Sequence, residues 1–275
     1  MGRFSFRKQQ EMKWYEAIDR QAGNTIYSLM TTRQGGISQS PFSSLNMATH
    51  VGDDFHAVID NRNRLLNVYG IDVNQAIAAN QVHGNEIAIV TREHAGMGSN
   101  RQPMLNVDGL ITCEQDIALM SFYADCVPLY FWDQEHKVIA LAHAGWRGTV
   151  LNIAGKMIDT FVSEFQSRPE NIKVVIGVSI CGKCYRINEQ VRQQFADVFT
   201  ADELRSILTV DSPDQYLLDL RQANQKLLER QNISKDNIVI MSDCTYCNND
   251  LFFSYRKEQG MTGRMASIIF QRDER

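Results

Sequence analysis

The stretch from residue 76 to residue 143 most constrains the fold, because it is a close series of short apolar runs. Gly, Asn, Asp and Pro separate these runs, which is typical of β-strands. The pattern predicts strands at 76–80, 86–91, 108–112, 117–123, 128–132 and 138–143. After His143 the apolar spacing becomes helical, and a helix is predicted to begin at Thr149. Strands this dense must pair into sheets, so helices have to cover the sheets from outside.

The rest of the chain continues this mixture of strands and helices. A strand is predicted at 26–32, and a helix at about 54–69, with Asp53 or Asp54 as its cap. Later elements are expected as strands at 172–179, 237–241 and 265–270 and helices at 188–199 and 220–231. Segment 94–104 is rich in Gly, Ser and Asn and predicts a mobile loop. No repeat or Pro/Ser-rich linker divides the chain, so we expect one α+β domain over residues 1–275.

Composition and charge limit which binding partners and which cellular compartment are expected for this chain. The 275 residues are 44% apolar and 22% charged, with a net charge of −4 and no dense cluster of Lys and Arg, which argues against nucleic acid as a partner. No apolar run approaches the roughly 20 residues of a membrane span, and the N-terminus has no signal-peptide core. We therefore expect a cytoplasmic protein whose six cysteines stay reduced. The sequence leaves the oligomeric state open.

Three segments place metal-binding side chains at predicted strand ends. They are QVHG at 81–84, ADCVP at 124–128 and HAGWRG at 143–148, and they carry His83, Cys126 and His143. Imidazole and thiolate are the donors that zinc prefers, and three protein ligands leave a fourth position open, as in catalytic zinc sites. The pattern predicts such a site, although a single His or Cys on a strand is more often a core or surface residue.

The same residues also fit a cysteine hydrolase. In that case Cys126 would be the nucleophile and His143 its base, with Asp125 or His83 orienting the imidazole. Adjacent side chains on a strand point to opposite faces, so we expect Asp125 to orient a neighbouring group and not to act on the substrate.

Two Cys-x-x-Cys pairs lie outside these segments. Cys181 and Cys184 form the first, and Cys244 and Cys247 the second. Two such pairs can make a structural Cys₄ zinc site, but their separation of about sixty residues is too long for a simple zinc ribbon. The spacing therefore argues against a second zinc ion.

A set of segments, in this order along the chain, resembles the laccase-domain or multicopper polyphenol oxidase family. Members are now regarded as purine nucleoside phosphorylases with adenosine deaminase activity, and one branch is described as a peptidoglycan editing factor. The resemblance extends from about residue 28 to residue 269 and leaves 1–24 as an N-terminal extension. The segments are SLN at 44–46, HVGDD at 50–54, NR at 61–62, QVHG at 81–84, DGL at 108–110, ADC at 124–126, HAGWRG at 143–148 and FFSYR at 252–256.

The resemblance implies a fold, a metal and substrates. It implies a four-layer α/β/β/α arrangement of mixed sheets, similar to the catalytic domain of cytotoxic necrotising factor. It also implies zinc bound by His83, Cys126 and His143, with a purine nucleoside and inorganic phosphate as substrates. Within the matching segments, Asn46 is a candidate to bind the base or ribose, and Arg62 a candidate to bind phosphate. Arg147 is a second phosphate candidate, because it lies beside a predicted helix start.

These expectations converge on phosphorolysis of adenosine and inosine, with deamination of adenosine at the same site. Three rival hypotheses stay open. They are a zinc or cysteine hydrolase of peptidoglycan precursors, a copper polyphenol oxidase, and a non-enzymatic binding module that zinc stabilises. The scattered methionines and the few soft ligands argue against copper.

Overall fold

The computed structural model describes residues 4–21, 23–101 and 106–273. Within these ranges the chain forms β-strands in three sheets, together with α-helices. The strands are β1 (Ser5–Gln9), β2 (Met12–Gln21), β3 (Asn24–Thr31), β4 (Ala76–Ala78), β5 (Ile87–Ile89), β6 (Gly109–Thr112), β7 (Ala118–Tyr123), β8 (Val127–Asp133), β9 (Val138–Ala144), β10 (Lys173–Ile176), β11 (Arg186–Asn188), β12 (Leu208–Ser212), β13 (Gln215–Leu218), β14 (Ile238–Ile240) and β15 (Met265–Arg272). The helices are α1 (Phe55–Leu66), α2 (Trp146–Val150), α3 (Ile153–Phe165), α4 (Glu189–Ala196), α5 (Ala201–Ile207) and α6 (Leu220–Arg230).

Two large mixed sheets form the centre of the molecule. The first has the order β1-β2-β3-β15-β7-β4, and the second has the order β14-β10-β8-β9-β6-β5. Strand β4 runs parallel to β7, while β8 and β9 are antiparallel. The third sheet, β11-β13-β12, is small, and all of its pairs are antiparallel.

The alternation of side chains along the strands builds three apolar cores. Leu119 of β7 and Tyr130 of β8 point into the space between the two large sheets. Their neighbours point away: Met120 packs towards α1, and Phe131 packs against Phe161 of α3. The layers are therefore helix, sheet, sheet and helix. This confirms the predicted four-layer mixed α/β fold, whereas the likeness to cytotoxic necrotising factor stays a prediction.

The segment before residue 25 is part of the first sheet. Strands β1 and β2 form a hairpin, and β2 pairs with β3 from Trp14 to Gln21. Met12 and Trp14 of β2 are buried in the core beneath α1. The assignment of 1–24 as an extension therefore missed two strands, although the alternating apolar residues of β2 carried a signal for one of them.

Several other boundaries differ from the prediction. The helix expected from Thr149 begins earlier as α2, with Gly145 as its N-cap, and it is interrupted at Asn152 before α3. The pattern also missed α5 and the small sheet. Residues 94–101 of the predicted mobile loop form turns that bond to β4 through Gly96 and Met97. Positions 102–104 lie outside the described residues. In the part of the chain described here, no helix is long and apolar enough to cross a membrane.

Candidate metal centre

Strand topology brings His83, Cys126 and His143 to one edge of the two sheets. His83 follows β4, and Cys126 lies where the chain passes from β7 in the first sheet to β8 in the second. His143 lies near the end of β9, opposite Pro128 of β8. Because β4 and β7 are parallel, their carboxyl ends lie on the same side. The ligand atoms of the three residues are all within 4.8 Å of one another, as predicted for a shared site.

Local contacts hold the His83 loop in position. The side chain of Gln81 pairs with Phe122 of β7 like an extra strand residue, because Nε2 donates to the Phe122 carbonyl and Oε1 accepts from its N–H. His83 itself has a left-handed backbone with φ 62°. Gly145 leaves room for the centre, since a Cβ there would lie 3.1 Å from His83 Cδ2 and 3.2 Å from Cys126 Sγ.

Asp108 connects the two histidine segments. Its Oδ1 accepts from His143 Nδ1 at 2.9 Å and from the His83 N–H at 3.0 Å. Its Oδ2 accepts from the N–H groups of Val82 and Gly84, at 3.2 and 2.7 Å. Burial disfavours the charged carboxylate, yet these hydrogen bonds lower the pKa of Asp108. The bond to Nδ1 leaves Nε2 of His143 to face the centre, as in other carboxylate–histidine–metal arrangements.

Cys126 and His143 form a charged pair in the metal-free chain. Burial would raise the pKa of Cys126, but the charge and hydrogen bonds of His143, with those of His83, lower it to about 6. Burial would also lower the pKa of His143, whereas the Cys126 thiolate and the Asp108 carboxylate raise it to about 9. The thiolate is therefore available as a ligand or a nucleophile at neutral pH.

The Asp125 carboxylate forms its hydrogen bonds away from the Cys126–His143 pair. Its Oδ1 accepts from the hydroxyls of Thr245 at 2.6 Å and Ser254 at 2.8 Å, and its Oδ2 accepts from the Arg256 N–H at 2.7 Å. Burial raises the pKa of Asp125 despite these bonds. With φ 91° at Asp125, the carboxylate fixes the turn that presents Cys126. Asp108, and not Asp125, therefore orients His143, which corrects the alternative considered from sequence.

Arg62 is buried and does not lie on a solvated helix face. Its guanidinium donates to the carbonyls of Met47, Gly98 and Ser99 and lies 4.7 Å from the centroid of the Phe122 ring. Burial lowers the pKa of Arg62 to about 9, so the group remains a cation at neutral pH. One of its nitrogens, Nη2, has no partner among the described residues. This nitrogen is buried with the rest of the guanidinium.

The side-chain amide of Asn46 is fully used inside the protein. Its Nδ2 donates to the Ala48 carbonyl and to Asp53 Oδ2, and its Oδ1 accepts from the N–H groups of Ala48 and Arg264. A direct bond to a nucleoside would require one of these bonds to break. In this structure Asn46 holds the backbone of Arg264, whose guanidinium lies 5.5 Å from the Tyr255 ring centroid.

Other cations lie around the centre. Arg147 is exposed in the first turn of α2, and its guanidinium lies 4.5 Å from the Trp146 ring centroid. Arg256 lies over the ring of Tyr185 at 5.0 Å. The pKa of Tyr185 is raised, first by burial and then by the charge of Cys126. The charges of Arg256 and Arg147 lower this pKa, but by less. Tyr185 therefore keeps its proton at neutral pH and can donate a hydrogen bond.

Sequence reasoning missed Asp108, Arg264 and His50 as parts of this site. The side chain of His50 is exposed. Even so, desolvation and the charges of Arg264 and Arg62 lower the pKa of His50 to about 4, so this imidazole is neutral at pH 7. Asp108 and His50 lie in segments that matched the family, and Arg264 immediately precedes a predicted strand, but only the folded chain shows what they contact.

The fold and the site define a class: a four-layer mixed α/β protein with a His₂Cys group at a sheet edge that could hold a metal ion. A family model described as multi-copper polyphenol oxidoreductase laccase matches residues 27–272, and the chain belongs to this family.

Curated relatives and solved structures agree with this membership. The purine nucleoside phosphorylase YlmD of Geobacillus stearothermophilus is 38% identical over 255 residues, which are 89% of this chain and 90% of that protein. The protein of the same name from Bacillus subtilis is 34% identical over 251 residues, 90% of each chain. The crystal structure of YlmD from Geobacillus stearothermophilus matches with a TM-score of 0.90 at 35% identity, over 97% of this chain and 98% of that chain. The hypothetical protein YfiH of Bacillus licheniformis matches with a TM-score of 0.87 at 33% identity, over 92% and 98%.

Proposed function

We propose that this protein is a zinc-dependent, cytoplasmic purine nucleoside phosphorylase that converts adenosine or inosine and phosphate into the free base and ribose 1-phosphate. An adenosine deaminase side activity is part of the proposal. The observation that carries it is a His₂Cys centre with an open side, surrounded by arginines. Curated relatives named purine nucleoside phosphorylase support it.

The donor set fits zinc. Bond lengths of about 2.0–2.3 Å place the donors of a tetrahedral zinc site roughly 3.3–3.8 Å apart, which the cluster reaches with small movements from its present spacing of up to 4.8 Å. His143 is held in one tautomer by Asp108, as zinc-bound imidazoles require. His83 is exposed, so the fourth position faces solvent. Bound zinc supplies a Lewis-acid centre at which an oxygen ligand is polarised.

The arginines suit a phosphate co-substrate. The whole chain carries a net charge of −4, yet Arg62, Arg147, Arg256 and Arg264 gather around this one edge. Local positive charge concentrates an anion at the site and neutralises it when it attacks C1′ of the ribose. Arg147 is exposed and is our first candidate for direct phosphate contact. Arg62 has one unpartnered but buried nitrogen, so we propose that it contacts phosphate only when the site opens locally.

Other residues of the chain would position the nucleoside. Tyr185 keeps its proton and can donate to an acceptor on the substrate. Neutral, exposed His50 provides a flat surface against which a purine can stack. The Phe122 ring beside it, with centroids 6.4 Å apart, is buried against Arg62 and supports this surface from below. Asn46 would act through Arg264, whose backbone it holds.

A cysteine hydrolase is the second candidate, and one specific observation favours it. Cys126, His143 and Asp108 have the nucleophile–base–carboxylate order of a catalytic triad, with the His143–Asp108 bond at 2.9 Å. A hydrolase that edits peptidoglycan precursors in this way would need neither metal nor phosphate.

A copper polyphenol oxidase fits the ligands less well. A multicopper enzyme needs further histidine-rich ligand sets beside the first one. Among the described residues, the other group of potential ligands near enough to share a metal consists of four cysteines. We therefore favour zinc at the His₂Cys centre.

Chromatographic product analysis of zinc-loaded protein with adenosine, with and without phosphate, tests the proposal. We expect adenine and ribose 1-phosphate only with phosphate, and loss of both in Cys126→Ala. Cys113→Ala is the matched control, because Cys113 is an exposed free thiol that belongs to neither cysteine group. Absence of base release in either buffer would reject the phosphorylase. Inosine as the sole product would indicate a deaminase. Phosphate-independent hydrolysis of a peptidoglycan precursor by the metal-free protein, assayed beside adenosine, would indicate the cysteine hydrolase.

A further inference from the structure

The four cysteines of the two Cys-x-x-Cys pairs lie together, although the pairs are far apart in sequence. Their sulfur atoms are all within 4.8 Å of one another. Cys184 Sγ and Cys247 Sγ, from different pairs, are 3.4 Å apart, and the Cys181 N–H donates to Cys244 Sγ at 3.2 Å. The spacing argument against a shared site was therefore wrong, because the fold and not the sequence brings the pairs together.

Each pair lies on its own tight turn, and a backbone bridge joins the two turns. In the first, the N–H groups of Cys184 and Tyr185 both bond to the Cys181 carbonyl. The bridge pairs Ser179 with Cys244 in parallel, and the Thr245 N–H bonds to the Ser179 carbonyl at 3.2 Å. The two turns are thus held face to face before any ligand binds.

The arrangement does not match core filler or disulfides. Core cysteines pack against apolar side chains, whereas these four thiols point at one another and range from the buried Cys244 to the exposed Cys247. All four are free thiols, and the 3.4 Å between Cys184 Sγ and Cys247 Sγ is far longer than a disulfide bond of about 2.05 Å.

We propose that Cys181, Cys184, Cys244 and Cys247 bind a second, structural zinc ion. Four cysteines in two Cys-x-x-Cys turns are a donor set of structural zinc sites, with zinc–sulfur bonds of about 2.3 Å and sulfurs roughly 3.8 Å apart. The present spacing closes to that geometry with shifts of about an ångström or less. With all four positions taken by protein, this ion has no open side for substrate.

The second ion would brace the catalytic cysteine. Ile180, next to Cys181, donates its N–H to the Asp125 carbonyl at 3.0 Å. Thr245, next to Cys244, donates its hydroxyl to Asp125 Oδ1 at 2.6 Å. A metal that clamps the two cysteine turns therefore fixes two of the supports of the turn that carries Cys126.

Native mass spectrometry of the purified protein, expressed with zinc, counts the ions directly. We expect two zinc ions per chain in the wild type and in Cys113→Ser, and one in Cys126→Ala. The double variant Cys184→Ser/Cys247→Ser is also expected to hold one. Cobalt substitution of Cys126→Ala identifies the remaining site, because four thiolates give intense thiolate-to-cobalt charge-transfer absorption and tetrahedral d–d bands.

Other results would overturn the second site. A single zinc ion in the wild type and none in Cys126→Ala, with all six wild-type thiols reacting with Ellman's reagent in denatured protein, would show free cysteines. A mass deficit of two hydrogens per pair would show disulfides. If the double variant fails to fold, the counts for the wild type and Cys126→Ala decide the question, since both retain all four cysteines.

Discussion

Replacing Asp108 with asparagine tests how the proposed metal ligands are held. The carboxylate is buried and accepts four hydrogen bonds, one from His143 and three from backbone N–H groups. Asparagine has one acceptor oxygen, so its NH₂ group faces two of these donors. Each unsatisfied buried donor costs about 1–3 kcal/mol, and because these N–H groups are only partly buried we expect about 2–4 kcal/mol in total. Loss of a carboxylate behind a metal-bound histidine typically lowers metal affinity or activity about 10- to 100-fold.

Two measurements and one control separate stability from metal binding. Urea unfolding of the metal-free protein gives the stability loss, and competition with a chromophoric chelator gives the zinc affinity. Asp133→Asn is the matched control. Asp133 is also buried and accepts hydrogen bonds from His136 Nδ1 at 2.8 Å and from the Glu135 N–H. The His136 imidazole, however, belongs to neither group of potential metal ligands. We expect it to lose stability and to keep its zinc affinity. Wild-type zinc affinity in Asp108→Asn would refute the role of Asp108.

Three further predictions concern the same centre. Gly145→Ala should weaken zinc binding about tenfold, because its methyl group would lie 3.2 Å from Cys126 Sγ and overpacking costs about 1–3 kcal/mol. Gly84→Ala is the control and should bind zinc normally, because a methyl group there meets only contacts of 3.6 Å or more. Competition with a chelator compares the zinc affinities of the two variants. In metal-free protein, the rate at which iodoacetamide modifies Cys126 should rise through pH 6 and level off above it; a midpoint of this pH–rate profile near 9 would contradict the ion pair. Peptide mapping should show that zinc protects Cys126 but not Cys113. Arg147→Gln should raise the KM for phosphate about 10- to 100-fold with little change in kcat, since a charge-assisted hydrogen bond contributes about 1.5–3 kcal/mol. An unchanged KM for phosphate in steady-state kinetics would show that Arg147 does not bind phosphate.

The strands around the His83–Cys126–His143 centre, and the three residues that meet there, could be predicted from the sequence. His83, Cys126 and His143 each stand where a predicted strand ends, and the two-residue alternation of β7 and β8 matches the two faces of each sheet. Short apolar runs are informative here because both faces of these strands are buried.

The supporting contacts could not be predicted from local pattern. Asp108 binds three consecutive N–H groups more than twenty residues away along the chain, and no spacing rule encodes such a convergence. Arg62 lies on a helix where arginine is usually solvated, yet it is buried against backbone carbonyls. The start of α2, three residues before Thr149, was not predictable, because Trp146-Arg147-Gly148 has no helical apolar period and Gly148 is a poor helix former.

The two cysteine pairs show the limit of spacing rules most clearly. Their separation in sequence argued for independence, but Ser179 and Cys244 pair across the fold and set the turns against each other. Contacts of this kind depend on the order of strands in a sheet, which single-sequence patterns do not specify.

Metal reconstitution tests the central claim most directly, namely that a metal at the His83–Cys126–His143 centre carries out phosphorolysis. The protein is stripped of metal and reloaded in parallel with zinc or copper, and adenosine and phosphate are added. Adenine and ribose 1-phosphate are measured by chromatography, and oxygen uptake by electrode. We expect phosphate-dependent adenine release that increases with the zinc bound at this centre, and none from the stripped protein. Oxygen uptake with copper, together with no adenine release with either metal, would contradict the proposal.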